Sequence, residues 1–335
     1  MIIPFFITHS GCPHQCVFCN QRNITGQDRP IDASIIPRKI HEYLRTYNTD
    51  RPVHAAFYGG SFTALPNELQ KSYLEAVQPF IQSGKILGIR LSTRPDCITR
   101  EIVLLLKEYH VDTIELGVQS MDEGVLLLSG RGHTSTDAIN AVKFLREFSI
   151  TIGLQLMLGL PGDSSDTFMN TIKKVIELKP DFVRLYPLLV IKGTLLEKMY
   201  TLGMYAPLSL DEAVSLCREA LVRFEKAGID VIRIGLQSTE ELEKPGTVLA
   251  GPYHPAFGQL VESAVLLDKM RSALQWRKEE NASAVFRVNP ADVSAAIGQQ
   301  RGNIETLKNE FGLQKIRIVG DQDVLRKGCH LFLAT

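Results

Sequence analysis

Short apolar runs alternate with amphipathic stretches from residue 1 to about residue 240. Ile2–Ile7, Val53–Tyr58, Ile86–Ser92, Thr113–Val118, Thr151–Leu158 and Phe182–Tyr186 are rich in apolar and β-branched residues and predict strands. Asp230–Gly235 predicts a seventh. Between them Ala33–Arg45, Asn67–Ile81, Arg100–Tyr109, Ser135–Phe148, Asp166–Leu178 and Leu210–Ala227 show the spacing of helices with one apolar face. Thr99 and Ser209 stand where helix N-caps are expected. Near-continuous apolar strands separated by amphipathic helices predict a parallel sheet covered by helices, an α/β fold. Ligands in such folds gather beyond the carboxyl ends of the strands, so the residues just after each strand carry the functional information.

The pattern changes after about residue 245. A loop Gly251-Pro252-Tyr253-His254-Pro255-Ala256-Phe257-Gly258 opens a helix running to about Trp276, and either closes over a site or packs the helix start. Strand Ala284–Val288, helix Pro290–Ile297, loop Gly298-Gln299-Gln300-Arg301-Gly302, helix Asn303–Phe311 and strand Lys315–Val319 follow. We therefore expect two domains, residues 1–245 and a small α+β domain over 246–335.

Composition narrows the classes. The 335 residues are 44% hydrophobic and carry formal net charge zero, so no global field draws the chain to nucleic acid or membrane. No stretch approaches the ~18 apolar residues of a membrane span. The first apolar run is short, contains Pro4 and lacks a basic lead-in, unlike a signal peptide. Cys97, Cys217 and Cys329 are isolated in sequence and read as small buried apolar residues. Unpaired thiols imply a reducing cytoplasm.

The chemistry concentrates in Gly11-Cys12-Pro13-His14-Gln15-Cys16-Val17-Phe18-Cys19-Asn20, directly after the first strand. Three cysteines spaced C-x3-C-x2-C cannot all pair in disulfides, and a structural zinc site normally wants four protein ligands. Three thiolates satisfy three irons of a [4Fe–4S] cluster and leave the fourth iron open. A zinc knuckle borrowing His14 or a distant cysteine is the plainer alternative. After the second strand comes Gly59-Gly60-Ser61, a turn in which backbone can approach a ligand. After the third, Arg94 and Asp96 either hold polar ligand groups or form a Pro-Asp helix start with a surface arginine; the residues leave both open. Glu115 interrupts the apolar fourth strand and needs a partner, and Gln119 and Ser120 fall at that strand's end. His133 reads as a packing or helix-start residue.

C-x3-C-x2-C after a first strand, with Phe18 before the third cysteine, resembles the radical S-adenosylmethionine (SAM) enzymes. In that superfamily SAM chelates the open iron, and one electron cleaves it to methionine and a 5′-deoxyadenosyl radical that abstracts hydrogen from substrate. The runs around Arg94–Asp96, Glu115–Ser120, Arg131–Thr134, Gly159–Gly162 and Arg184–Thr194 resemble, more narrowly, the radical SAM domain of the Elongator catalytic subunit, whose relatives modify the wobble uridine of tRNA. The resemblance covers about residues 1–205. It implies a partial TIM-type (β/α)6 barrel, with Cys12, Cys16 and Cys19 on the cluster and Gly59, Gly60, Ser61, Glu115, Gln119 and Arg131 in the SAM pocket.

The departures are a compact cysteine spacing and no acetyltransferase-like pattern in residues 206–335, so the wobble-uridine reaction itself is not carried over. Instead, the C-terminal strand-helix-glycine loop-helix-strand order resembles a KH domain, which clamps single-stranded RNA. Arg301 stands where the second loop glycine is expected, unless the loop ends at Gly302, so it either contacts phosphate or marks a purely structural appendage. From residue 251 on, 11 Lys and Arg face 9 Asp and Glu, a slight basic excess for an RNA module. The expected function is a radical SAM enzyme on RNA, most specifically tRNA, fed by an external ferredoxin- or flavodoxin-type donor. The alternatives are a radical SAM enzyme on a small molecule, similar to oxygen-independent coproporphyrinogen oxidase, and a non-catalytic metal- and RNA-binding protein.

Overall fold

The structure, a computed structural model, describes all residues except 8–9, 21–30, 47–51, 276–282 and 335. It divides into two compact units, residues 1–209 with 224–253, and residues 210–223 with 254–335.

In the first unit, β1 (Ile2–Phe6), β2 (His54–Tyr58), β3 (Gly88–Thr93), β4 (Val111–Gln119), β5 (Thr151–Leu158) and β6 (Phe182–Pro187) lie side by side in chain order, all parallel. β7 (Val190–Ile191) leaves this sheet to pair with β9 (Val248–Ala250), while β8 (Asp230–Ile234) joins β6 as a seventh parallel strand. The sheet is parallel, as the alternation of strands and helices implies, and curls into a partial barrel, as the resemblance implies. Its helices are α1 (Ile36–Thr46), α2 (Asn67–Glu75), α3 (Gln78–Gln82), α4 (Arg100–Glu108), α5 (Glu123–Leu128), α6 (Ser135–Glu147), α7 (Ser165–Leu178) and α8 (Leu195–Thr201). α9 (Leu210–Lys226) begins in the second unit and ends in the first, and α10 (Glu240–Glu243) is one short turn.

Alternation along the strands separates two faces. Leu91, Ile114, Leu116, Leu154, Leu156, Val183 and Leu185 are fully buried, and α4 and α6 pack on β4. Tyr58, Arg90, Ser92, Gln155, Arg184 and Tyr186 carry the other face and stay only half-buried, so that face is polar and accessible. Side-chain caps fix where the helices begin: Thr99 accepts from the Ile102 N–H, and Thr134 and Ser164 each form a capping box. The single helix expected over Asn67–Ile81 is two helices. Pro79 lacks the N–H to continue α2, and its ring opposes the carbonyl of Glu75, where α2 stops.

The second unit packs α11 (Phe257–Leu274), α12 (Val293–Ile297) and α13 (Gly302–Phe311) on a three-stranded sheet in the order β11-β10-β12. β10 (Ser283–Val288) runs parallel to β11 (Lys315–Gly320) and antiparallel to β12 (Cys329–Ala334), a strand the sequence pattern did not announce. The helix expected to reach Trp276 is α11; Trp276 lies outside the described residues. His254 serves the helix start, its Nδ1 accepting from the Ala256 N–H at 3.0 Å. The core joins Leu266 and Met270 of α11 to Phe286, Ala296, Ile304 and Leu307.

One polar side chain organises this unit. Buried Asn303, at the start of α13, donates from Nδ2 towards the carbonyls of Ser263, Ala295 and Ala296 at 3.0, 3.1 and 3.3 Å. It also abuts Gly298, where an added Cβ would come within 2.8 Å of the Asn303 nitrogen. Asn303→Ala is expected to cost about 1–3 kcal/mol, because it leaves buried carbonyls without a donor. Urea denaturation of the full chain, followed through the transition of this unit, measures it. A loss below about 0.5 kcal/mol, the range of surface substitutions, would show that the node is dispensable.

Candidate active site

Backbone lies against backbone where β1 and β2 end. The Ser61 N–H donates to the Ser10 carbonyl at 2.9 Å. A Cβ on Gly60 would stand 2.5 Å from the Ser10 oxygen, and one on Gly11, at φ +74°, would stand 2.3 Å from the Ser61 oxygen. Only glycine permits that approach at these two positions. Beneath it the hydroxyls of Ser61 and Thr63 meet Thr93 Oγ1 at 3.1 and 2.6 Å, which ties the turn after β2 to the end of β3.

The far side of the cysteine loop rests on α5 and α8, two short helices absent from the expected set. The Val17 N–H donates to the Ser129 carbonyl at 3.1 Å, the Leu196 N–H donates to the Val17 carbonyl at 2.8 Å, and Asn20 Nδ2 donates to the Lys192 carbonyl at 2.8 Å. Val17 sits in an apolar cluster with Val125, Leu188 and Leu196.

Arg131 links the loop to the sheet. The residues flanking it, Gly130 and Gly132, have φ of 64° and 72°. An added Cβ on Gly132 would strike the His14 ring at 2.5 Å, so the glycine makes room for the loop. Arg131 Nη1 donates to the Cys16 sulfur at 3.0 Å, Nη2 donates to the Gly117 carbonyl, and buried Nε has no partner. Arg94 is not the surface arginine that a helix start would give. It is buried, pairs with Asp96 at 3.0 Å and donates to the carbonyl of Arg131.

Cys16 is buried, Cys19 half-buried and Cys12 exposed, and none is in a disulfide. Although Cys12 has open surface, desolvation by the surrounding protein is the largest influence on its thiol and raises it. Cys16 and Cys97 push it further up, and Arg94 and Arg131 pull it down. Cys97 is therefore not an isolated apolar residue: it is half-buried, in contact with Ser61 and Arg94, and within electrostatic reach of Cys12. Sequence distance hid it, the only available hint being its place four residues beyond β3.

Gln119 ends β4 with φ at 67°, a left-handed conformation uncommon outside glycine, where the register to β5 shifts. Its Oε1 is buried and accepts nothing, so one acceptor at the strand's end is uncommitted. Ser120 is committed to Thr171 at 3.3 Å. His133 packs beside this point and bonds the Val118 carbonyl at 3.2 Å through Nε2, which must then carry the proton. Glu115 is fully buried on the polar face, between Arg90 at 3.1 Å and Arg184 at 2.8 Å. Tyr58 and Gln155 donate to it at 3.1 and 3.2 Å, so its partners come from four other strands.

Among the described residues no three histidine, cysteine or carboxylate side chains stand in a geometry that would hold a metal ion. The donor chemistry nonetheless suits an iron–sulfur cluster. Three cysteines occupy one loop, and an arginine N–H is already on one sulfur, the kind of outer partner that orients a thiolate ligand.

The sequence profile of the radical SAM superfamily matches residues 6–175, and that of the radical SAM C-terminal domain matches residues 180–266. An uncharacterised protein of Methanocaldococcus jannaschii is 34% identical over 223 residues, 62% of this chain and 66% of that protein. A tRNA uridine(34) acetyltransferase of the same organism is 34% identical over 257 residues, 64% of this chain and 47% of the relative. The chain thus spans between about half and two thirds of the length of these relatives. The fold is shared with the archaeal Elp3 of Methanocaldococcus infernus, at TM-score 0.62 and 22% identity over 79% of this chain and 62% of that one. It is also shared with the coproporphyrinogen III oxidase HemN of Escherichia coli, at TM-score 0.51 and 16% identity over 68% and 53%.

Burial, and then the charges of Arg131 and Arg94, lower His133 from 6.5 to about 4. Between those values the unfolded chain binds the proton that the folded protein refuses, so stability rises with pH from about 4 to 6.5 and levels off above. The expected span is about 3 kcal/mol. Denaturation of the chain and of His133→Gln across that range measures it; a difference between them that is independent of pH would show an unperturbed ring.

Proposed function

This chain belongs to the radical SAM superfamily, and we propose that it acts on RNA, most specifically tRNA. Its cofactors are those of the superfamily, a [4Fe–4S] cluster and SAM. When bound, they supply reductive cleavage of SAM to a 5′-deoxyadenosyl radical that abstracts hydrogen from the substrate.

The protein's part is to hold and orient. Cys12, Cys16 and Cys19 would hold the cluster, and Arg131 would keep its N–H on the Cys16 sulfur. The Gly59-Gly60 turn and Ser61 offer backbone groups at the loop, and the uncommitted Gln119 Oε1 accepts from a cofactor hydroxyl or amine. Arg94 and His133 stay out of the chemistry, and stiffen the end of β4 and the approach to Arg131. An external donor of ferredoxin or flavodoxin type supplies the electron, because the remaining cysteines form no second cluster motif. Free thiols and an oxygen-sensitive cofactor favour the cytoplasm. No described helix is long and apolar enough to cross a membrane.

The observation that carries the RNA reading is the glycine loop of the second unit. Between α12 and α13, Gln300 and Arg301 take left-handed conformations with φ of 48° and 63°, and both side chains are exposed. Among the described residues nothing lies within 4 Å of a Cβ placed on Gly302. A strand-helix-loop-helix-strand unit with an open glycine loop suits a single-stranded RNA backbone, with Arg301 on phosphate.

Reconstituted anaerobically and given dithionite and SAM, the full chain is expected to form 5′-deoxyadenosine, and faster with bulk tRNA. Gln300→Ala with Arg301→Ala should weaken tRNA binding about five- to tenfold, or about 1–1.4 kcal/mol, and leave the tRNA-independent rate alone. Formation indifferent to tRNA would redirect the search to small molecules, and none from a loaded cluster would sink the enzyme reading. A second experiment addresses the loop: Gly60→Ala should lower the iron bound per chain, since its Cβ would push the cysteine loop away. Full iron loading in that variant would refute the packing argument.

A further inference from the structure

The polar face of the sheet holds more hydrogen-bond donors and more positive charge than its own acceptors use. Arg90 on β3 gives Glu115 a single hydrogen bond, from Nη2 at 3.1 Å, while its Nε is buried without a partner. Arg184 reaches the same carboxylate from β6, across β5, with Nη2 at 3.0 Å and Nε at 2.8 Å, the latter off the hydrogen-bond axis. Its Nη1 has only a long contact, 3.4 Å, to the Tyr186 hydroxyl.

Neither guanidinium can shed its proton, so two positive charges face one carboxylate. The other carboxylate felt near Arg90 is Asp112, which is engaged by His54 at 3.2 Å and Thr113 at 2.7 Å, its side chain 40% exposed to water. Water screens that pair, and it does not cancel the surplus at Arg184. Phe182 offers Arg90 only a ring face, at 5.2 Å, and Tyr58 offers Arg184 its ring at 5.5 Å and a long hydroxyl contact to Nη2 at 3.4 Å. Arg90 and Arg184 nonetheless keep 15% and 13% of their side-chain surface open, on the face that Ser92, Gln155 and Tyr186 also leave half-exposed. Half-buried cations with surplus charge on a partly open face are arranged for an incoming anion.

We propose that Arg90 and Arg184 bind an oxyanion of the substrate, a carboxylate or a phosphate group, on the open face of the partial barrel. Glu115 is then a positioning residue: it fixes the two guanidiniums from one side and leaves their remaining N–H groups to the ligand. Tyr186 lends a hydroxyl beside Arg184. This inference rests on the enzyme reading only in calling the ligand a substrate; anion binding itself does not depend on SAM cleavage.

The test is calorimetric titration of the reconstituted full chain, saturated with SAM, with inorganic phosphate and separately with acetate. At least one should saturate at one per chain, and Arg184→Gln should weaken it tenfold or more. Arg90→Gln, which leaves Glu115 paired with Arg184, should weaken it less. Glu115→Gln with Arg184→Gln removes both charges together and replaces the single variant if that one fails to fold. Preference for phosphate identifies a phosphate ester, as in a nucleotide chain; preference for acetate identifies a carboxylic acid. The proposal is overturned if neither anion saturates the unaltered protein, if Arg184→Gln binds as tightly, or if SAM expels the anion competitively. Anion binding in a protein that makes no 5′-deoxyadenosine would leave this site standing while the enzyme reading fell.

Discussion

The absence of two side chains decides where the cysteines stand. Gly11 and Gly60 allow the loop after β1 and the turn after β2 to touch through their backbones, at separations a Cβ would reduce to about 2.3–2.5 Å. Everything beyond that contact is indexed from it. Val17 can then meet Ser129 and Leu196, and Cys16 can meet Arg131. A parallel sheet brings strand ends to one edge but does not set the height of the loops above it. The glycines set that height.

Around the loop, charge and neutrality are sorted by burial. Arg94 and Arg131 bring two permanent cations close to the thiols, while His133, equally enclosed, is held neutral by the lack of water and then by the same cations. Asp96 answers Arg94 at 3.0 Å, but among the described residues Arg131 has no carboxylate as a hydrogen-bond partner, only a sulfur and a carbonyl. Its charge is thus directed at the loop and whatever the loop carries.

The strands were legible because each is a near-continuous apolar run, and the longer helices because their apolar faces recur over several turns. α5 and α8 were not, since six and seven residues are too few to display a period. They matter most of the missed elements, as they hold the far side of the cysteine loop. The split between α2 and α3 is written in Pro79, against the continuous apolar period across Asn67–Ile81. Cysteine spacing pointed to the loop directly, and a charged residue in an apolar strand announced that Glu115 needed partners. Which partners could not be read: Arg184 is 69 residues away and becomes a neighbour only through strand order. Arg94 was left open and Cys97 read as an isolated apolar residue for the same reason, because burial of a post-strand turn depends on the loops laid over it.

The path of the chain through its two units has a bearing on inheritance. Residues 210–223 belong with 254–335, yet residues 224–253 return to supply β8 and β9 to the first unit. Arg218 on the early part of α9 pairs with Asp268 on α11 at 2.6 Å, and Ala213, Cys217 and Ala220 are fully buried. The second unit is therefore not a tail that a shifted stop codon can add or delete. Its first helix is written inside the reading frame of the barrel, so recombination must move the two as one gene segment.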